Sequence, residues 1–216
     1  MEVLDSHERF EMEVLEKLAH AGYFRFLVFG GGTMLRLCHE LPRYSVDLDF
    51  WFSRKMDYAV FYKKLKDFLS KDYELTDTCN KHYTLLYELR STRSERRLKI
   101  EIRKEVIAKG IESKIAFSKG ASIQVLVKTL SLEESAKRKK MAVISRNEIR
   151  DYFDLEFMLK KIDFDFSEKE KDRMFEQIKN FKKEDYSMSL GSLLSKDLRD
   201  YYKQNQFSYL LEKLKK

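Results

Sequence analysis

The sequence predicts an α+β protein, a mixed α/β half over residues 1–130 followed by a helical half over residues 131–216. Three observations carry this. Runs with apolar residues at every second position end at Val127. Apolar residues at helical spacing open the chain and dominate everything after that point. No Pro-, Gly- or Ser-rich linker, internal repeat or low-complexity stretch separates the halves, and Pro42 is the only proline. At 216 residues the chain is long enough to bury a sizeable core.

Each element follows from local pattern. Residues 7–21 repeat apolar positions at helical spacing (Phe10, Val14, Leu15, Leu18), and Gly22 stands where a helix would stop. Phe24–Phe29 is a short β-rich run leading into Gly30-Gly31-Gly32, and Thr33–Glu40 suits a helix. That strand–turn–helix leads to a strand over Asp47–Phe52 and an amphipathic helix over 57–70. Strands are expected at Tyr73–Thr78, His82–Leu89 and Arg97–Arg103, with Ser122–Val127 closing the sheet. Helices are expected over 131–144, 147–161 and 167–182, with a final helical stretch within 188–214.

Composition narrows the class. There is no run of 18 apolar residues, and the amino terminus carries Glu2, Asp5 and Glu8 rather than a basic segment leading into an apolar one. We therefore expect neither a membrane span nor a secretory signal. Cys38, in the expected helix, and Cys79, in an expected turn, read as free thiols of a reducing cytoplasm. His7, His20, His39 and His82 lack ligand spacing and none is assigned to a metal. A net charge of +7 and a pI near 9.1 favour an anionic partner. The excess concentrates in Arg90, Arg93, Arg96, Arg97, Lys99, Arg103 and Lys104, and again in Lys137-Arg138-Lys139-Lys140. Solvated strand and helix faces account for these runs as well as nucleic-acid contact does.

The most informative stretch joins the glycine turn to Arg43-Tyr44-Ser45-Val46-Asp47-Leu48-Asp49-Phe50. On a strand, Asp47 and Asp49 point the same way with Ser45 beside them, while Val46, Leu48 and Phe50 point to a core. Two parallel carboxylates can share divalent cations. A pair of Mg²⁺ ions roughly 3.5–4 Å apart can activate a hydroxyl nucleophile and neutralise a departing phosphate, which suits nucleotidyl transfer. The backbone N–H groups of the turn, at a helix start, face an anion.

Gly31-Gly32-Thr33, Leu35, Leu41-Pro42-Arg43, Ser45 and Asp47-Leu48-Asp49-Phe50 resemble the first motif of the AbiEii/AbiGii-type nucleotidyltransferases, relatives of DNA polymerase beta often found as toxins of toxin–antitoxin pairs. The resemblance implies a polymerase-beta-like core with a mixed sheet, followed by a helical domain that completes the nucleotide cleft. It also implies a third metal carboxylate on a strand beside the Asp-x-Asp strand, and Glu101, on the polar face between Lys99 and Arg103, is the candidate. The competing role for Glu101 is a cross-strand salt bridge.

Lys139 falls on the less polar stripe of its helix, near Ala136, Ala142 and Val143. Its stem can snorkel to solvent, or its ammonium can bind a triphosphate. The family's later motif is a helical lysine, an alanine, an arginine and then Arg-Asp-x-x-Asp-Leu, matched by Lys139, Ala142, Arg146 and Arg150-Asp151-Tyr152-Phe153-Asp154-Leu155. Ser145 and Glu148 look like a capping box that starts this helix. Asp151, Asp154, Leu155 and Met158 then share one face, as a polar cleft or as half of a structural ion pair with Arg146. The two motifs cover residues 28–52 and 131–160.

The resemblance implies the following roles. Asp47, Asp49 and Glu101 hold two Mg²⁺, or Mn²⁺ in their place. Gly31, Gly32, Thr33, Arg43, Ser45, Lys139, Arg146 and Asp151 bind the NTP, and Asp47, Asp49, Glu101, Lys139 and Asp154 are catalytic. The acceptor is RNA, such as a tRNA 3′ end, and a cognate antitoxin is a partner. Two rivals stay open: nucleotidylation of a protein hydroxyl, and a non-catalytic nucleotide- or RNA-binding regulator.

Overall fold

The computed structural model describes residues 2–215. The chain divides into two compact units: Met1–Glu40 with Ser45–Leu130, and Leu41–Tyr44 with Ser131–Lys216.

The first unit is built on one seven-stranded sheet: β1 Leu27–Gly30, β2 Asp47–Phe52, β3 Glu74–Asn80, β4 Thr84–Arg90, β5 Leu98–Val106, β6 Ile111–Phe117 and β7 Gln124–Leu130. The strand order is β3-β4-β5-β2-β1-β7-β6. The β2–β5 and β1–β7 pairs are parallel and the other pairs antiparallel, so the sheet is mixed. Three helices belong to this unit: α1 Glu2–His20, α2 Gly31–His39 and α3 Tyr58–Leu69. β2 alternates as its sequence requires, with Leu48, Phe50 and Phe52 fully buried and Asp47 and Asp49 on the half-buried face. All four residues of β1 are buried, so no alternation shows in its sequence.

Several boundaries differ from the sequence expectation. Residues 23–25 form a 3₁₀ turn, and β1 starts only at Leu27. α2 begins at Gly31 rather than Thr33, so two of the three turn glycines lie in the helix. Cys79 sits in β3 rather than in a turn. The sequence reading omits β6. Its Ile115 and Phe117 face outward while Glu112, Lys114 and Ala116 take the opposite face, so its polarity runs against the pattern of a half-buried strand.

The second unit is helical: α4 Leu132–Arg146, α5 Ile149–Leu159, α6 Glu168–Lys179, α7 Lys196–Asn205 and α8 Ser208–Leu214. A π turn at Asp185–Ser189 and a 3₁₀ turn at Gly191–Leu193 precede α7, and the final helical stretch expected within 188–214 is two helices, α7 and α8. Tyr152, Phe153, Tyr186, Tyr202 and Phe207 make an aromatic core joined edge to face and by tilted contacts. Buried Glu156 is satisfied there by the Tyr202 hydroxyl at 2.6 Å, Lys160 at 2.9 Å and the Leu210 amide at 3.2 Å.

Ser131 caps α4 by accepting the Glu134 amide. Ser145 belongs to the last turn of α4, where its hydroxyl donates to the Ala142 carbonyl, and Glu148 is the N-cap of α5. The capping box of this unit is Ser167/Glu170 at α6. The short Leu41–Tyr44 segment joins this unit through the Tyr44 amide, which donates to the Leu193 carbonyl at 2.9 Å, and a bridge pairing Arg43 with Leu194.

Candidate active site

β2 supplies the two aspartates, and the parallel β5 supplies their neighbours. Asp47 pairs in register with Lys99 and Asp49 with Glu101, so four charged side chains occupy one patch of the sheet face. The Lys99 ammonium lies 3.0 Å from Glu101 Oε1 and 3.6 Å from Asp47 Oδ2, and the three side chains are about one-third exposed. Burial works against the Lys99 charge, but the hydrogen bond it donates to Glu101 and the charges of Asp47, Glu101 and Asp49 outweigh it and raise its pKa. Sequence reading missed Lys99 as part of this site. Its signal is the period-two spacing to Glu101, but the pairing with Asp47 depends on strand register.

The glycine turn shapes the floor of this patch. Gly30 opposes Asp49 on β1, and a Cβ at Gly30 would strike the Trp51 ring. Gly31 has φ +76°, and a Cβ there would run into the Asp49 carboxylate. Only glycine meets both the backbone and the packing requirement at Gly31. The N-cap of α2, Gly30, is extended and offers no side-chain cap, which leaves the first amides of the helix for an anion. Gly32 is buried in that first turn, and Ser45 is half-buried two residues before Asp47.

Thr33 is fully buried, and its hydroxyl donates to the Asp47 carbonyl at 2.6 Å, so it fixes the strand rather than facing a ligand. A buried polar cluster stands with it, which the sequence reading did not foresee. His7 Nε2 is 3.0 Å from the Val46 carbonyl and 3.7 Å from Glu11. Glu8 takes hydrogen bonds from Arg36 and Ser118. Burial, with the neighbouring Glu8 charge, pushes the Glu11 carboxyl well above its ordinary range, and burial lowers the pKa of His7. His7 is therefore a neutral imidazole, and Val46 and Asp47 hang from buried donors.

The later motif forms a second constellation. Asp154 accepts two hydrogen bonds from Arg43, at 2.6 and 2.7 Å, and pairs with Lys139 at 2.6 Å. Asp151 pairs with the same lysine at 2.6 Å and with Arg146 at 2.6 and 3.0 Å. Both aspartates are wholly buried. Burial alone would raise their pKa values, yet Arg43 and Lys139 on Asp154, and Lys139 and Arg146 on Asp151, hold both below the usual aspartate range. The register of the cation run follows directly. Lys139 turns to the aspartates, Arg138 pairs with Glu134 and Lys140 with Glu170. Lys139 uses two of its three N–H donors on carboxylates.

Much of the expected basic face is internally neutralised: Arg90 pairs with Glu74, Arg93 with Glu13 and Arg97 with Glu88. Arg103 lies over the Trp51 ring. Among the described residues, no three His, Cys, Asp or Glu side chains meet closely enough to hold a metal ion, and no helix is long and apolar enough to cross a membrane.

Comparison with known proteins shows the family and the fold. The model of the family described as nucleotidyl transferase AbiEii toxin, type IV toxin–antitoxin system, matches residues 13–214. The crystal structure of JHP933 from Helicobacter pylori shares the fold at a TM-score of 0.56 and 21% identity, over 100% of this chain and 94% of that one. An antigenic nucleotidyltransferase-like protein from Paracoccidioides brasiliensis does so at 0.52 and 17%, over 91% of this chain and 97% of that one. A stretch of 72 residues, 32% of this chain, is 32% identical to a probable protein-S-isoprenylcysteine O-methyltransferase of Oryza sativa subsp. indica. The chain spans only 37% of that relative's length, too little to bring its activity here.

Proposed function

The chain belongs to the AbiEii nucleotidyl transferase toxin family, and on that premise we propose that it moves a nucleoside monophosphate from an NTP to a hydroxyl of RNA, such as a tRNA 3′ end, in the cytoplasm. Membership of a type IV toxin–antitoxin family implies a cognate antitoxin. The observation that carries the reading is the register of β2 and β5, which sets three carboxylates side by side against a glycine that cannot carry a side chain.

The chemistry of the donor set suits a hard divalent cation, because all three side chains offer carboxylate oxygens from paired positions of β2 and β5, although they do not converge on one point in this structure. Asp47, Asp49 and Glu101 would hold two Mg²⁺. When bound, such ions lower the pKa of an acceptor hydroxyl and neutralise charge at the phosphates.

The protein groups do the rest. The amides of Gly31 and Gly32 and the Ser45 hydroxyl orient the triphosphate. Glu101, as the carboxylate, accepts the acceptor's proton. The acceptor oxygen forms its bond to the α-phosphorus, the α–β phosphoanhydride bond breaks, and pyrophosphate carries the electron pair away. In the helical unit, Lys139 keeps one N–H for an anionic ligand. Asp151 and Asp154 hold that ammonium in place, and Arg43 and Arg146 hold the aspartates. Arg43 and Thr33 are positioning residues in this scheme, because both spend their donors inside the protein.

The test is incubation with each α-³²P NTP, Mg²⁺ and either total RNA or total protein, beside an EDTA control. Mg²⁺-dependent labelling of RNA supports the proposal. If exposed cations such as Arg96 and Lys137 dock RNA, log K should fall with log salt by roughly 0.7 per phosphate contact. Labelling confined to protein would move the acceptor to a protein hydroxyl. RNA binding without incorporation would leave a regulator.

A further inference from the structure

Lys99 stands on the carboxylate face with two carboxylate partners rather than one. It follows Leu98 and precedes Glu101 by two residues, so it shares Glu101's face of β5, and parallel pairing places it opposite Asp47. Its ammonium reaches Glu101 at 3.0 Å and Asp47 at 3.6 Å. The neighbouring arginines are engaged elsewhere, Arg97 with Glu88 at 2.8 Å and Arg103 over Trp51 at 5.5 Å. One ammonium is thus shared between two of the acids on this face. A divalent cation would compete with the ammonium for the same oxygens.

We propose that Lys99 is a resident counter-ion of this site, occupying the carboxylates that a divalent cation takes up and having to swing away when the cation binds. The inference rests on the metal reading of Asp47, Asp49 and Glu101. The side chain suits the part: it is a compact charge on a flexible four-carbon stem, and at 38% exposure it has solvent to swing into. An arginine would tie itself to one carboxylate as a fork, and a neutral residue would leave the three acids repelling one another. The consequence is a site that resists free divalent ions and favours their arrival with a nucleotide, whose phosphates give the displaced ammonium a new partner.

The experiment is Mn²⁺ binding to the full chain without nucleotide, followed by Mn²⁺ electron paramagnetic resonance, for wild type, Lys99→Gln, Lys99→Arg and the Asp47→Asn/Asp49→Asn double variant. Removing one charge at about 4 Å from the ligands should tighten Mn²⁺ binding about tenfold or more in Lys99→Gln, whereas Lys99→Arg should stay within about threefold of wild type. The metal-free melting temperature of Lys99→Gln should fall, and its rise on adding Mn²⁺ should exceed that of wild type. If the double variant loses Mn²⁺ and Lys99→Gln binds no more tightly than wild type, the counter-ion role is wrong and the metal site stands. If the double variant binds Mn²⁺ as wild type does, the metal site is wrong and this role goes with it. Should Lys99→Gln fail to fold, wild type labelled with ¹³C-methyl groups on its lysines gives the same answer. The Lys99 resonance, assigned by its absence in Lys99→Arg, must shift on saturating Mg²⁺, and an unmoved resonance overturns the proposal.

Discussion

On the strand face of the first unit, Asp47, Asp49 and Glu101 stand half-buried with Lys99 as the cation paired to two of them. In the second unit, Asp151 and Asp154 lie wholly buried beneath Arg43, Lys139 and Arg146. The first constellation gathers three acids at the surface, with Lys99 shared between two of them, and keeps access to solvent. The second carries an excess of one positive charge, and each buried acid is fully met. Clustered acids at a surface suit a cationic ligand, whereas compensated charges in a core hold a scaffold. The same residue type, aspartate, thus does opposite work in the two units, and substitution should separate them.

The largest expected effect is on the buried set. Asp154→Ala would leave Arg43 and Lys139 without their shared acid, at a cost of about 3–5 kcal/mol in denaturant unfolding. Asp49→Ala should melt close to wild type, since it removes one of several like charges at a part-exposed site. Similar unfolding midpoints for the two variants would erase the distinction between scaffold and site.

Acid titration sharpens the comparison next. Asp151 and Asp154 have folded pKa values below 3.8, so their contribution to stability is present above that value and lost as pH falls through the folded values. Glu11 runs the other way. Its folded pKa lies well above 4.5, so its contribution is complete below 4.5 and lost as pH rises through the folded value. Unfolding curves from pH 3 to pH 8 should therefore show Glu11→Gln gaining on wild type as pH rises, with no such gain for Asp154→Asn. A parallel pH profile for Glu11→Gln and wild type would contradict the burial account of that carboxyl.

These contrasts show what the chain reveals before it folds. The alternation of Asp47-Leu48-Asp49-Phe50 was legible because a strand's two faces are written in neighbouring residues, and β2 has the expected bounds. Lys99 was read only as part of a basic run, because its pairing with Asp47 is set by register between strands far apart in sequence. Arg43 was taken for a nucleotide ligand, and its bond to Asp154 joins residues 111 positions apart. The buried cluster of His7, Glu8 and Glu11 was not foreseen, because polar residues that find partners inside a protein leave no mark in hydropathy. β6 hid for the converse reason, since its large apolar residues point outward. The helical half was legible as helices, but the π and 3₁₀ turns at Asp185–Ser189 and Gly191–Leu193 were not, because no proline or glycine pair marks them.

Smaller effects refine the picture around the strand and the cation run. Thr33→Val removes the donor that holds the Asp47 carbonyl in the core and should cost about 1–3 kcal/mol. It should also lower transfer more than the stability loss explains, read as a fall in kcat with KM for NTP little changed. Arg138→Ala, which removes the part-exposed pair with Glu134, should cost about 0–1 kcal/mol and leave NTP affinity alone, whereas Lys139→Ala should weaken it. Equal losses of affinity for the two would show the run acting as a diffuse basic patch.

The most direct measurement is Mg²⁺-dependent incorporation from α-³²P NTP into RNA by wild type and by the Asp47→Asn/Asp49→Asn double variant, with both melting curves recorded beside it. The carboxylate face predicts incorporation by wild type, none above the EDTA background by the double variant, and a melting temperature for the variant equal to or above that of the metal-free wild type. Incorporation by the double variant at the wild-type rate would contradict the assignment of transfer to this face of β2.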